Sequence, residues 1–230
     1  MWSRELLVTA GRRRALALRV AVPLALAVPL VAGGAPTFWA AMLLTVLCAM
    51  VGAVGSGMTL ARARASGLLA RLAVTPRRPE RTVVAWVLAA SAVDALQLLP
   101  AIAVVAMGGG VPAWWPGLLA AVFCSLLVAN VLGCALAVAA AGAAEVLLDV
   151  AVVLAPLLYF AGLFTGVPRE GWRAVVAAID PFSQLQSALV GSLAGDPAHE
   201  PLTVLIASAA WITLALAAVV PLSRALLRRG

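Results

Sequence analysis

The chain has 230 residues, 64% of them hydrophobic, and a mean hydropathy of +1.10. A soluble domain is nearer half apolar, so the sequence predicts an integral membrane protein with no room for a separate soluble domain. All 16 basic residues are arginine; the net charge of +7 then need not mean nucleic acid, and the lack of lysine excludes a P-loop, whose ammonium must reach the nucleotide phosphates.

Met1 to Arg14 opens the chain. Trp2, Leu6, Thr9 and Ala10 share a helical face, while Arg4, Arg12, Arg13 and Arg14 carry charge. This reads as an interfacial helix anchored by Trp2 or as a basic tail. The first span is predicted at about 16–33, uncleaved and broken by Pro23 and Pro29. A turn at Gly33-Gly34-Ala35-Pro36 leads to a second span at about 38–60.

Leu60 to Arg81 follows, with six arginines and the single acid Glu80. Read as a helix from Ala61 to about Val74, it places Ala61, Ala65, Leu68, Leu69 and Leu72 on one stripe. Arg62, Arg64 and Arg71 flank that stripe, and Ala63, Ser66, Gly67, Ala70 and Ala73 leave the opposite face small. The pattern suits a helix lying in a membrane interface with snorkelling arginines. The alternative is a basic loop that only fixes topology. Thr75-Pro76 ends the helix.

Further spans are predicted at about 83–107, 117–140, 146–165 and 202–222, each near the length a bilayer needs. The N-terminal segment holds five arginines, the segment after span two holds six and the C-terminus three, 14 of 16 in all. Both termini are therefore expected in the cytoplasm. Gly108–Pro116 then faces out, with Trp114 and Trp115 at the interface. Between Gly166 and Pro201, Trp172, Val175, Val176 and Ile179 form one apolar stripe and Phe182, Leu185, Leu189 and Leu193 another, separated by Asp180-Pro181. Two short amphipathic helices follow, either dipping into the outer leaflet or capping the surface.

Asp94 and Gln97 share one face in the middle of span three. A carboxylate at that depth must face protein or a water-filled cavity. Asp94 reads as part of a solute or proton path, or as the partner of Asn130 on span four. Glu145 and Asp149 sit at the inner end of span five, four apart, where arginines of the basic segment or of another chain are possible partners. Tyr159, Phe160 and Phe164 place aromatics on its outer half, for packing or for contact with an apolar solute. Cys48, Cys124 and Cys134 lie in apolar runs without metal-ligand spacing, as packing residues do. His199 stands apart from any nucleophile. No cofactor or metal site is predicted and the enzyme classes lose their support.

This layout resembles the ABC-2 type permease family, the membrane subunits of ABC exporters. The stretch Gly67-Leu68-Leu69-Ala70-Arg71-Leu72-Ala73-Val74-Thr75-Pro76 is similar to the family's glycine, leucine-bearing turn and Thr-Pro before span three. Phe160-Ala161-Gly162-Leu163-Phe164, Pro168, Trp172 and Asp180-Pro181-Phe182 resemble its second signature. The match departs at Arg62 and Arg64, where acids are frequent, and at Asp180, where asparagine is usual.

The resemblance implies an all-α integral membrane fold over residues 1–230. It has six spans, an N-terminal interfacial helix, a cytoplasmic coupling helix and a split re-entrant pair before span six. It implies docking on a separate ABC ATPase through Arg64, Gly67, Leu68, Arg71 and Leu72. It implies a path between two permease chains, identical or related, past Asp94, Gln97, Asn130, Tyr159, Phe160 and Phe164. Pro168, Trp172, Asp180, Pro181 and Phe182 would form the outer gate. The expected setting is a bacterial plasma membrane, and the expected role is efflux, as in antibiotic resistance. With one mid-membrane carboxylate and a few amides, the chain suits an apolar or amphipathic solute: a drug, a natural product or a lipid-linked molecule. The competing readings are a lipid-modifying membrane enzyme built around Glu145 and Asp149, and a non-transporting anchor or regulatory partner.

Overall fold

The structure is a computed structural model that describes residues 13–69, 79–108, 114–163, 165–166, 170–195 and 201–228. The N-terminal segment before Arg13, and Arg71, Leu72, Phe164, Pro168 and His199, lie outside the described residues. Those described are helices and turns without strands. The helices are α1 (Arg13–Ala32), α2 (Thr37–Ala65), α3 (Pro79–Gly108), α4 (Trp115–Ala139), α5 (Ala143–Phe160), α6 (Gly171–Ile179), α7 (Pro181–Ala194) and α8 (Pro201–Arg228). Within α2, α3, α4, α5 and α8 there is a segment long and apolar enough to cross a membrane. The protein is therefore a multi-pass membrane protein. The apolar part of α1, Ala17–Ala32, is shorter.

Three boundaries differ from expectation. Pro23 and Pro29 sit inside α1 without ending it. Each removes one N–H donor, and packing against α3 and α2 holds the helix together. The fifth helix stops at Phe160, five residues before the predicted end, where Gly162 and Gly166 take positive φ values of 85° and 75°.

The third difference matters most. Ala61 to Ala65 are the last turn of α2 and not the start of a separate helix. Gly67, expected on the small face of a helix, has φ of 69°. It is the left-handed residue that closes α2, with its N–H donating to the Arg64 carbonyl at 3.0 Å. Arg62 and Arg64 fall in the final turn, where positive charge suits the helix dipole. Ala63, predicted to face outward, is buried.

The bundle is organised around α4, which packs on α2, α3, α5, α7 and α8. Its seam with α2 is built from small residues. A Cβ on Gly133 would lie 2.1 Å from the Ala53 carbonyl oxygen, and one on Gly52 would lie 2.7 Å from the Ala129 Cβ. Glycine here is required by backbone approach, because lipid supplies no hydrophobic force between helices and close contact must do so. Leu60, Leu127, Leu154, Phe182 and Val219 pack together in one cluster, and Leu44, Leu98, Leu118, Leu126 and Leu189 in a second.

The Asp180-Pro181 break appears where the sequence put it. Pro181 occupies the first turn of α7, and the Asp180 Oδ1 accepts the Phe182 N–H at 2.9 Å. The faces of the two helices differ. On α7, Phe182, Leu185 and Leu189 are buried, whereas α6 turns Trp172, Val175 and Ile179 outward at 67%, 62% and 72% exposure.

Candidate functional site

The polar residues of the membrane-spanning helices converge on Asn130, in the middle of α4. Its Nδ2 donates to the Asp94 Oδ2 at 3.2 Å, to the Ser91 Oγ at 3.2 Å and to the Leu126 carbonyl at 2.9 Å. From α2, the Ser56 Oγ donates to the Asn130 carbonyl at 2.9 Å. All four of these side chains are buried. Asp94 thus reaches the partner named for it, and that contact is compatible with either role proposed for it. The carboxylate also lines a small cavity, across which it faces Arg19 of α1. Gln97 is buried beside it in the sequence, but its amide atoms have no hydrogen-bond partner.

At one end of the bundle, Arg64 leaves α2 and meets the end of α4. Its guanidinium donates to the carbonyls of Ala137 at 3.2 Å, Val138 at 3.4 Å and Ala140. A helix ends with carbonyls that lack intrahelical donors, at the negative pole of its dipole. Arg64 therefore caps α4 from a neighbouring helix. Glu145, at the start of α5, accepts the Ala141 N–H; Arg71, Arg77 and Arg78, among its possible partners in the basic segment, lie outside the described residues. Arg224 Nη2 lies 3.5 Å from Glu80 Oε1, with 68% and 35% side-chain exposure, so the pair carries little energy.

At the opposite end, aromatics tie α5 to α6. Tyr159 and Phe160 pack edge to face at 5.5 Å, and Phe160 and Trp172 at 5.8 Å. Arg173 sits 5.3 Å over the Tyr159 ring and its Nη2 donates to the Thr165 Oγ1 at 3.2 Å. Asp180 is buried between α6 and α7. Burial pushes its carboxyl up to about 6, against the opposing pull of the Phe182 and Ser183 N–H groups. Among the described residues, no group of histidine, cysteine and acidic side chains is placed to hold a metal.

Residues 22–221, most of the chain, match the ABC-2 family transporter proteins. The chain belongs to this family. No individual curated protein matches it. As an ABC-2 transporter it is a membrane permease of the ABC type, and its polar and charged residues have to be read as parts of a transport subunit.

The sequence residues divide into groups in this permease. Asp94 and Asn130 meet, whereas Tyr159, Phe160 and Trp172 form a cluster away from them. Asp180, Pro181 and Phe182 form the α6–α7 junction. Gly67 and Leu68 lie just past α2, next in sequence to the turn that bears Arg64. Arg19, Ser56 and Ser91 were missed as site residues. Arg19 is the fifth of the N-terminal arginines counted for topology, yet an arginine within the apolar part of α1 signals a polar partner. Serines give no such signal in sequence, since in an apolar helix most bond their own backbone.

Proposed function

We propose that the chain is the permease subunit of an ABC exporter. In this reading residues 1–230 form one transmembrane domain of six spans, with α1 as the first and both termini cytoplasmic. A separate ATPase docks on the segment that begins at Ser66 and includes Gly67, Leu68, Arg71 and Leu72. A second permease chain, identical or related, completes the path. The setting is a bacterial plasma membrane, and the exported solute is apolar or amphipathic.

The observation that carries this reading is the Arg64 contact. A turn hinged at Gly67 connects to α2, and one side chain of the final turn of α2 grips the end of the central helix. Force applied to that turn by an ATPase would reach α4 without crossing a loop. Closure of the ATPases would then bias the path from inward- to outward-facing. At the other end, the buried α7 and the outward apolar face of α6 support a split pair that dips into the membrane as a gate. The exposed apolar side chains of α5, including Leu148 and Val152, supply a surface for lipid or a second chain.

The test is co-purification from the native host in mild detergent. An ATPase with a P-loop should accompany the tagged chain at about one per permease. If none does after cross-linking through Arg71, the transport reading fails.

A further inference from the structure

Two hollows meet on the α1–α2–α3 side of the bundle, at Arg19 and Gly55. One is a cavity of about 50 Å³ lined also by Ser56, Thr59, Trp86 and Asp94. The other is a groove of about 440 Å³ between α1 and α2, bordered by Leu18, Val22, Leu47, Met50 and Val54. The first is polar at one end and holds the volume of about three or four waters. The second is apolar and opens on the exposed side chains of Leu18, Val22 and Met50. Together they have the shape of a headgroup pocket joined to a chain groove.

Gly55 marks the junction. A Cβ on Gly55 would meet nothing within 4 Å, whereas on Gly52, Gly57 and Gly133 it would strike a neighbour at 3.0 Å or less. Glycine weakens a helix interior, and at Gly55 no close approach of a neighbouring helix requires it. What it secures is open space where the two hollows join.

We propose that this junction binds a phospholipid with a primary-ammonium headgroup. Its phosphate pairs with Arg19, its ammonium reaches Asp94, and one acyl chain lies in the α1–α2 groove. Charge complementarity selects the headgroup. Acyl chains are as apolar as leucine, so the groove alone gains little over bulk lipid. Selection must come from the polar end, where a cation on α1 faces an acid on α3. The Asn130 amide that contacts Asp94 is neutral, and Arg19 acts on the carboxylate from across the cavity without closing to an ion pair, so there is room beside the carboxylate for a second cation. A zwitterion satisfies both charges at once. A primary ammonium offers three N–H donors to the carboxylate, a quaternary one offers none, and a glycerol headgroup brings no cation. The proposal stands apart from the transport reading, because it needs neither an ATPase nor a moving solute.

The test uses the full chain, purified in detergent, stripped of lipid and given phosphatidylethanolamine, phosphatidylcholine or phosphatidylglycerol. Retained lipid is counted by native mass spectrometry, and thermal unfolding is followed in parallel. Phosphatidylethanolamine should be held about tenfold better than the other two, the value of one charge-assisted contact. Asp94→Asn should erase that preference. Arg19→Gln should lower retention of all three lipids. Gly55→Leu should block retention without lowering the lipid-free unfolding midpoint. Equal retention of phosphatidylethanolamine and phosphatidylcholine by the wild-type chain overturns the proposal, and that comparison needs no variant to fold. Preference for phosphatidylglycerol overturns it as well. So does displacement of bound lipid by phosphoethanolamine alone, which would make this a site for a soluble headgroup.

Discussion

Replacing Arg64 with glutamine should loosen the end of the central helix. The guanidinium donates to three carbonyls, two of them at 3.2 and 3.4 Å. Hydrogen bonds to a charged group contribute about 1.5–3 kcal/mol each, and a cation at a helix C-terminus adds about 0.3–1 kcal/mol. The side chain is half-buried, two contacts are long and water competes for them, so the three do not add in full and the loss is that of one such bond plus the dipole contribution, about 2–3 kcal/mol. In a chain of this size 1 kcal/mol moves the midpoint by about 2–4 °C. Arg64→Gln should thus lower Tm in detergent by about 5–10 °C. Arg64→Lys keeps the charge but loses the planar fork, and should fall about midway. A glutamine variant within about 1 °C of wild type would show that the contact contributes nothing. A lysine variant as weak as the glutamine one would show that the charge alone contributes nothing and that the planar fork carries the contact.

Three further outcomes follow from the same geometry. Gly133→Ala puts a methyl against the Ala53 carbonyl oxygen and should cost about 3 kcal/mol or more, as overpacking against backbone does, seen as reduced yield and a lower Tm. Gly67→Ala forces an L-residue into the left-handed region at about 1–2 kcal/mol, whereas Gly67→Asn tolerates it; thermal unfolding should rank alanine below asparagine. Asp180 is raised from 3.8 to about 6 in the folded protein, so the fold favours its protonated form. That stability is complete below pH 3.8 and is lost as the pH climbs through 6. Asp180→Asn keeps the acceptor that caps α7 and should flatten this part of the pH–Tm curve; a slope unchanged from wild type would place its origin elsewhere.

The helices were legible because their signals are local. Hydropathy marks six spans, five of which hold a segment long and apolar enough to cross a membrane, Gly33-Gly34 marks a turn, and Asp180-Pro181 marks a helix junction. The end of α2 was misread because glycine signals two opposite things. In a helix interior it leaves a small face, and just past the end it closes the helix. At Gly67 the surrounding alanines favoured the first reading, and the backbone took the second. The α2–α4 seam was hidden for another reason. Ala49, Gly52, Ala53, Ser56 and Gly57 are ordinary in any apolar run, and which helix they meet is set by topology. The grip of Arg64 on α4 is not legible in the sequence, because charge there points to water or to a partner chain, whereas the acceptors here are backbone carbonyls that every residue carries.

In the proposed exporter, α4 either transmits force from the docked turn or only resists it. Arg64 holds its end at Ala137–Ala140, and Ser56 holds its middle through the Asn130 carbonyl. The two attachments are seven residues apart along α4, about 10 Å at 1.5 Å per residue, and share no partner. Stability losses from Arg64→Gln and Ser56→Ala should therefore add within about 0.5 kcal/mol. Transport is a different matter. If the docked turn moves α4 as a rigid body, either substitution alone breaks the connection between that turn and the Asp94–Asn130 contact. The second then has little left to remove, and their effects on ATP-driven export should fall short of additive. Additive losses in export as well as in stability would mean that α4 is a fixed strut. The ATPase would then have to act through the turn after Gly67 on some other helix.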